Sequence, residues 1–499
     1  MTGSNRLQSH ALSARFRWGA FLLAFVFGLA LNELNLRYIK SHNPANAPLN
    51  NFSTIHGFTV WSIDNAWYLP QVDHFLKGRG FTIDPDDLRM AVRRSPGYPL
   101  FYGLHRVLFG ERGSFLVIRY SQLALNALAS VLLGLSVLDL TGRARAAKLT
   151  TCLYALNPYT AGYCYYTVTE GLSPALTAVS LYCFARAMRL GGGSRWLLVG
   201  SSAAAAALTR PVCGLLLPTF VLALAAEVRG RAALATAARN GGLVLVGFLL
   251  LLVPWAIRNY RVTGDVVLLE KYYDDPMGYG TGEIAFRSWW SGWENPRAEE
   301  YANAVLRAGQ AGRPEEAEAI VQQFVRDLPA RARHGAGTDE LRGALGRLNR
   351  CLLSRDAACD HAVAAEFLGL AARFRRAAPL RYWVLTPLRT LASLVFQSFS
   401  SSLAMLNPPG RRFGPLQVAA KAVMYALNLA LWVGAVLFAL VSAAPRPLKV
   451  VVTVFPWALA FFFVVMVRYI EARYLLPAYP LCYVALGHLL AGVRPRPVP

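Results

Sequence analysis

The first candidate for chemistry in this chain is one acid among aromatic residues, in the run Trp61-Ser62-Ile63-Asp64-Asn65-Ala66-Trp67-Tyr68-Leu69. A carboxylate held in a partly dry cleft can take the proton of a hydroxyl, the step that transfer of a group to an alcohol requires. The same residue type also caps helices through its side-chain oxygen, and taken alone Asp64 reads that way too. Further on comes Arg93-Arg94-Ser95-Pro96-Gly97-Tyr98-Pro99-Leu100. Two guanidiniums beside a rigid Pro-Gly-Tyr-Pro turn suit a phosphate, which arginine holds through paired hydrogen bonds. The plain alternative is an interfacial pair reaching toward lipid headgroups.

Other chemistries find little footing. The histidines (His10, His42, His56, His74, His105, His334, His361 and His488) include no pair at helical metal-ligand spacing. No Walker-type phosphate loop is present, and Gly191-Gly192-Gly193 reads as a cytoplasmic turn. No cofactor is required on this reading, although a divalent metal is compatible with it. Cys152, Cys164, Cys183, Cys213 and Cys482 lie in or beside apolar runs and read as small hydrophobes.

The elements that must position these residues are membrane helices. Of 499 residues 55% are hydrophobic and 16% charged, with a mean hydropathy of +0.35, whereas soluble domains carry about 25% charged residues. Spans of about 20 apolar residues are expected at 18–36, 115–138, 149–168, 172–188, two short ones within 196–226, and 241–257. Three more are expected at 418–441, 450–467 and 475–490. The net charge of +23 sits largely in short loops, where the positive-inside rule places it. Nucleic acid is therefore not an expected partner, while anionic membrane lipids are.

The basic residues before Phe21 and the absence of a cleavage site imply an uncleaved first span with a cytoplasmic N-terminus. Parity then puts the 37–94 stretch, the turn at Glu170 and the region after Ile257 outside. The 384–406 segment, counted as a helix on the outer surface, keeps Arg446, Lys449, Arg494 and Arg496 inside. The expectation is an all-α polytopic membrane protein of ten spans, or eleven if 384–406 crosses as well, with both termini cytoplasmic on the ten-span count, in the plasma (inner) membrane. Residues 1–296 form an N-terminal transmembrane module whose first outer loop, 37–110, carries the chemistry. Residues 297–380 form an extracytoplasmic helical insert, and 381–499 the surface helix and final spans.

Within the insert Glu299 and Glu300 precede Ala302, Val305 and Leu306 at helical spacing, and Ile320, Val321, Phe324 and Leu328 repeat the pattern. Cys351 and Cys359 lie there in an oxidising compartment, and a disulfide and two separate thiols are both open.

In this order the elements resemble the GT-C superfamily of polyprenyl-phosphate-sugar glycosyltransferases, above all the bacterial protein O-mannosyltransferase and aminoarabinose transferase group. The pieces that carry the resemblance begin with Asp64, Phe75-Leu76-Lys77-Gly78-Arg79-Gly80-Phe81 and Arg94-Ser95-Pro96-Gly97-Tyr98-Pro99-Leu100. Asn157-Pro158, Thr169-Glu170 and Leu208-Thr209-Arg210-Pro211 follow. Pro254-Trp255-Ala256-Ile257-Arg258-Asn259-Tyr260 with Gly264, and Arg473-Tyr474, complete the set. The 297–380 insert has no counterpart in it.

The resemblance implies a sugar moved from a polyprenyl-phosphate donor to an acceptor hydroxyl on a lipid, glycan or protein, with inversion, on the extracytoplasmic side. It implies Asp64 as general base and Glu170 as an acid that orients acceptor or base. Arg93, Arg94, Arg258 and Arg473 are implied as donor-phosphate ligands, where positive charge stabilises the leaving group. Tyr98, Lys271, Tyr272 and Tyr273 are assigned to the sugar and acceptor pocket. Many relatives carry a second acid beside the first; here the neighbour is Asn65. Two rivals share these features: a transporter of a lipid-linked sugar, although no matching halves with broken helices are visible, and a non-catalytic lipid-binding relative.

Overall fold

A computed structural model describes residues 12–42, 53–62, 64–271, 282, 285, 286, 289, 304, 308, 312–327, 337–354, 357–408, 413–467 and 471–492. The expected positions Tyr272, Tyr273, Glu299, Glu300, Ala302, Val305, Leu306, Leu328, Arg494 and Arg496 lie outside them. Among the described residues the only sheet is a two-stranded hairpin, Ser53–Ile55 with Thr59–Trp61. The chain is an all-α polytopic membrane protein. Helices satisfy their backbone groups within the segment, as a hydrocarbon solvent demands.

Among the described residues five helices are long and apolar enough to cross a membrane: Ala14–His42, Gly97–Thr141, Arg231–Thr263, Pro415–Val441 and Arg446–Val465. The other expected spans fall on shorter helices, Ala144–Ala155, Ser173–Leu190, Gly193–Thr209, Leu216–Ala225 and Tyr479–Leu490.

Three segments differ from the sequence expectation. The half-apolar piece ending at Gly110 and the second span are two helical stretches within Gly97–Thr141 that meet at Gly110, whose φ of 69° and ψ of −171° are not helical and lie where glycine is favoured. The third span is broken. Its helix ends at Ala155, and Asn157 caps a new turn, Pro158–Ala161, by accepting from the Tyr159 N–H at 2.9 Å. The 384–406 segment is helical only as far as Val395 (Thr386–Val395, after a π-turn Arg381–Leu385), with one further turn at Ala404–Leu406.

The chain divides into two compact units. The first comprises Met1–Lys271, Phe396–Leu459 and Ala472–Pro499. Among its described residues the most extensive helix–helix contact is Gly193–Thr209 against Arg231–Thr263. A Cβ on Gly200 would meet the Val244 carbonyl oxygen at 1.9 Å, and one on Gly247 the Leu197 carbonyl oxygen at 2.0 Å. Backbone therefore packs on backbone, as small residues allow between membrane helices.

The second unit comprises Tyr272–Val395 and Ala460–Glu471. Helices Pro314–Asp327, Thr338–Ser354 and Ala357–Ala377 enclose a core that includes Val321, Phe324, Leu341, Leu348, Phe367 and Phe374. The helical spacing of Val321 and Phe324 thus becomes a buried stripe. Cys351 and Cys359 form a disulfide joining the second helix to the third.

Candidate functional site

The first outer loop is tied down before it presents Asp64. Its hairpin turns through His56-Gly57-Phe58, and the second strand binds the 160s segment through the Val60 N–H, which donates to the Tyr165 carbonyl at 2.8 Å. Asn65, 1% exposed, accepts from the Ser62 N–H and hydroxyl at 3.2 Å each, and its amide donates to Thr167. Asn65 is therefore a structural tie between the segment bearing Asp64 and the segment bearing Glu170.

Asp64 occupies the N-cap position of the short helix Asn65–Tyr68, but its side chain makes no capping hydrogen bond. It pairs instead with Arg473, across 409 residues of chain. The Asp64 side chain remains 20% exposed. Glu170, on the turn Thr169–Gly171, is buried behind it. Its Oε1 lies 3.0 Å from Arg210 Nη1 and 3.6 Å from Arg473 Nε, while Thr169 Oγ1 donates to Oε2 at 3.1 Å. Arg210 and Arg473 flank the Tyr474 ring at 5.1 and 5.5 Å. Burial raises the Glu170 titration, yet Arg210 and Arg473 outweigh it and hold the carboxyl below its ordinary range. Two acids and two arginines thus form one chain of charge: Asp64, Arg473, Glu170, Arg210.

A second cluster lies beyond Tyr68. Arg93 stacks on Trp67 at 4.5 Å, and Arg94 lies over Trp67 at 5.8 Å and Tyr68 at 5.5 Å. Both arginines point inward, so neither reaches out as an exposed interfacial pair. Burial pushes the Tyr68 hydroxyl up to about 12, against the pull of Arg94. Gly97 explains why the Pro-Gly-Tyr-Pro turn sits so close to Arg210. A Cβ there would meet Thr209 Oγ1 at 2.4 Å and the Thr209 backbone at 2.7 Å. Tyr98 is fully buried, its hydroxyl donating to Gln122 at 3.3 Å and its ring edge-on to Tyr68 at 5.7 Å. It supports Tyr68 from beneath.

The motif from Pro254 to Tyr260 ties Arg258 to neighbouring backbone. Arg258 donates to the backbone carbonyls of Ala91 (2.7 Å) and Phe81, and stacks on Trp255 at 4.8 Å. After Gly264, a left-handed C-cap with φ 73°, the chain folds back. Asn259 Nδ2 donates to the Val267 carbonyl and Trp255 Nε1 to the Leu269 carbonyl, both at 2.9 Å. The Lys271 N–H closes the fold onto the Val92 carbonyl at 2.9 Å, while its ammonium pairs with Asp265 at 2.6 Å. These ties deliver Glu270 to Arg94 and Ser95.

The structure thus brings Asp64, Glu170 and Arg473 together, with Arg93, Arg94 and Tyr98 around Tyr68. Arg258 and Lys271 act as clamps nearby, and Tyr272 and Tyr273 lie outside the described residues. Sequence reasoning assigned no role to Arg210, although it stood in a quoted motif, nor to Glu270, whose partners are 175 residues away. Among the described residues no three His, Cys, Asp or Glu converge to hold a metal ion.

Comparison with known proteins gives three results. No curated protein sequence matches the chain. Among solved structures, the apo oligosaccharyltransferase of Archaeoglobus fulgidus is similar at 13% identity and a TM-score of 0.44, covering 95% of this chain and 50% of that one. ArnT of Cupriavidus metallidurans bound to undecaprenyl phosphate is similar at 14% identity and a TM-score of 0.34, covering 95% and 76%. The chain thus spans about half the length of the archaeal oligosaccharyltransferase chains it matches. Finally, residues 93–257, the stretch that runs from Arg93 through Glu170 and Arg210 to the Pro254 motif, match the family of dolichyl-phosphate-mannose-protein mannosyltransferases, and the GT-C resemblance read from the motifs is borne out there.

Proposed function

We propose that this protein is a membrane glycosyltransferase that moves a sugar from a polyprenyl-phosphate donor to an acceptor hydroxyl on the extracytoplasmic face. The observation that carries the reading is the charge chain Asp64–Arg473–Glu170–Arg210, with Arg94 across Tyr68. The matched family is named for a lipid-phosphate-linked sugar as donor and protein as acceptor, and this chemistry suits the two clusters. A phosphodiester needs cationic ligands, and an alcohol needs a base within reach of its proton.

In this mechanism Arg94 holds the donor phosphate. Asp64 takes the proton of the acceptor hydroxyl, whose oxygen attacks the anomeric carbon from the face opposite the phosphate. The bond from that carbon to the phosphate oxygen breaks, the electron pair leaves with the polyprenyl phosphate, and the configuration inverts. The leaving phosphate gains a negative charge, which the arginines stabilise where it forms. Glu170 does not touch substrate; it fixes Arg473 and through it the direction of Asp64. The second acid that Asn65 does not supply is thus provided through a shared arginine.

The test compares wild type and Asp64→Asn in purified form in lipid, with radiolabelled polyprenyl-phosphate sugars and a membrane extract as acceptor. Transfer should fall by about 100-fold or more in the variant, the usual contribution of a general base, while donor binding is kept. Equal transfer by both proteins removes Asp64 from the mechanism. Tight donor binding with no transfer by wild type removes the enzyme reading.

A further inference from the structure

Glu270 lies where an anion's ligands converge. Its Oε2 is 3.4 Å from the Ser95 N–H nitrogen and 3.5 Å from the Ser95 hydroxyl, and its Oε1 is 4.0 Å from Arg94 Nη1. A guanidinium, a hydroxyl and a backbone N–H just ahead of the helix that starts at Gly97 are together the donors that hold phosphate oxygens. Charge-assisted hydrogen bonds of this kind settle at about 2.7–2.9 Å when the acceptor fits. The carboxylate is held at longer range than that, by three donors that a tetrahedral anion would engage more closely.

Glu270 is also not a committed member of the charge chain. Burial raises its titration above the ordinary range, against Arg94, Ser95 and Arg210. The charged and titratable groups that face it are Arg94, Arg210 and Tyr68, while Lys271 on its own segment is engaged with Asp265. A buried acid that is weakly held and costly to keep charged is easily displaced or neutralised.

We propose that Glu270 is the resident anion of the donor-phosphate seat, occupying Arg94 and Ser95 until the donor takes its place. The proposal rests on the reading of Arg94 as a phosphate ligand. Glu270 is a positioning residue here: it keeps the seat formed and selects for anions strong enough to displace it. The arriving phosphodiester takes over the Arg94 guanidinium and both Ser95 donors, and Glu270 either turns aside or is protonated beside the new negative charge.

The experiment measures binding of a short isoprenyl phosphodiester, singly charged from about pH 5 to about pH 8, to the full-length protein in lipid nanodiscs. Wild type, Glu270→Gln and Arg94→Ala are compared. Wild-type binding should tighten as pH falls through the raised titration of Glu270. Glu270→Gln should bind about tenfold tighter than wild type near pH 8, as expected when a like charge beside a bound anion is removed, and should show no such pH dependence. Arg94→Ala should lose binding. Equal or weaker binding by Glu270→Gln, with Arg94→Ala still impaired, overturns the place-holder and leaves the phosphate seat standing. Unchanged binding by Arg94→Ala overturns the seat and the place-holder together. If Glu270→Gln does not fold, the wild-type profile decides, and pH-independent binding overturns the proposal.

Discussion

Among the described residues the first unit buries an ion pair and the second does not. In the helical unit of residues 314–377 the pairs are out in solvent: Arg342 and Asp339 are 47% and 94% exposed, and Arg347 with Glu366 bridges two helices at the surface. In the first unit Arg210 and Glu170 are 8% and 4% exposed. Exposed pairs cost little to form and contribute little, a median of about 0–1 kcal/mol. A buried pair must offset the desolvation of both charges, and apolar residues of the same volume often serve stability as well or better. On the mechanism proposed above, the buried pair serves to hold Arg473 and Asp64 in place rather than to stabilise the fold. The helical unit draws its stability instead from the Val321–Phe367–Phe374 core and one disulfide.

The largest effect should come from breaking the buried pair on one side. Arg210→Met should lower stability by about 3–5 kcal/mol, because Glu170 is left buried without its first partner. Adding Glu170→Met should restore most of that stability in thermal unfolding, yet leave transfer abolished. If activity returned with stability, the pair would be architectural and the contrast between the units would fail. The pH dependence has a defined sign. Glu170 titrates lower when folded than the ordinary value of about 4.3, so its contribution is full above that value and lost as pH falls through the depressed one. Arg210→Met should weaken that acid-side loss.

A smaller effect is expected at the disulfide, whose cysteines are eight residues apart. Cys351→Ser should cost about 2–3 kcal/mol by the loop-closure relation. The readout is unfolding of the wild type with and without reductant, which should reproduce the shift seen in the variant. The smallest effect belongs to Arg347→Ala, less than about 1 kcal/mol and fading with added salt. A loss as large as that of Arg210→Met would erase the distinction between surface and buried charge.

What was legible in the sequence follows the same division. Asp64, Glu170 and Arg473, which the fold brings together, each stand in a short run whose order along the chain can be compared with a family's. Glu270 was invisible, since nothing local marks a loop glutamate whose partners are distant in sequence and reached only through the fold-back after Gly264. At Arg258 a sequence shows the arginine's charge and not the two carbonyls to which it donates. Nor does the sequence show that the Tyr98 ring is buried against Tyr68. Hydropathy locates the apolar segments, and the Thr209-Arg210-Pro211 break between two of them, but not the break within the third span. Asn157-Pro158 starts a new turn inside what reads as one span. Whether Cys351 and Cys359 pair depends on how two helices end, which spacing alone leaves open.

The glycine contact between the 193–209 and 231–263 helices has a consequence at some remove from where it lies. Arg210 follows directly on the first of these helices, and the second leads into the fold-back that delivers Glu270. With no side chain between Gly200 and Gly247 the two rods share a single fulcrum, and their ends keep a fixed gauge. A methyl group at Gly200 would pry at that fulcrum, with Arg210 at the tip of an arm about 15 Å long at the rise of an α-helix. Specificity for the substrate can therefore drift through residues that no substrate ever meets, by a change of leverage alone.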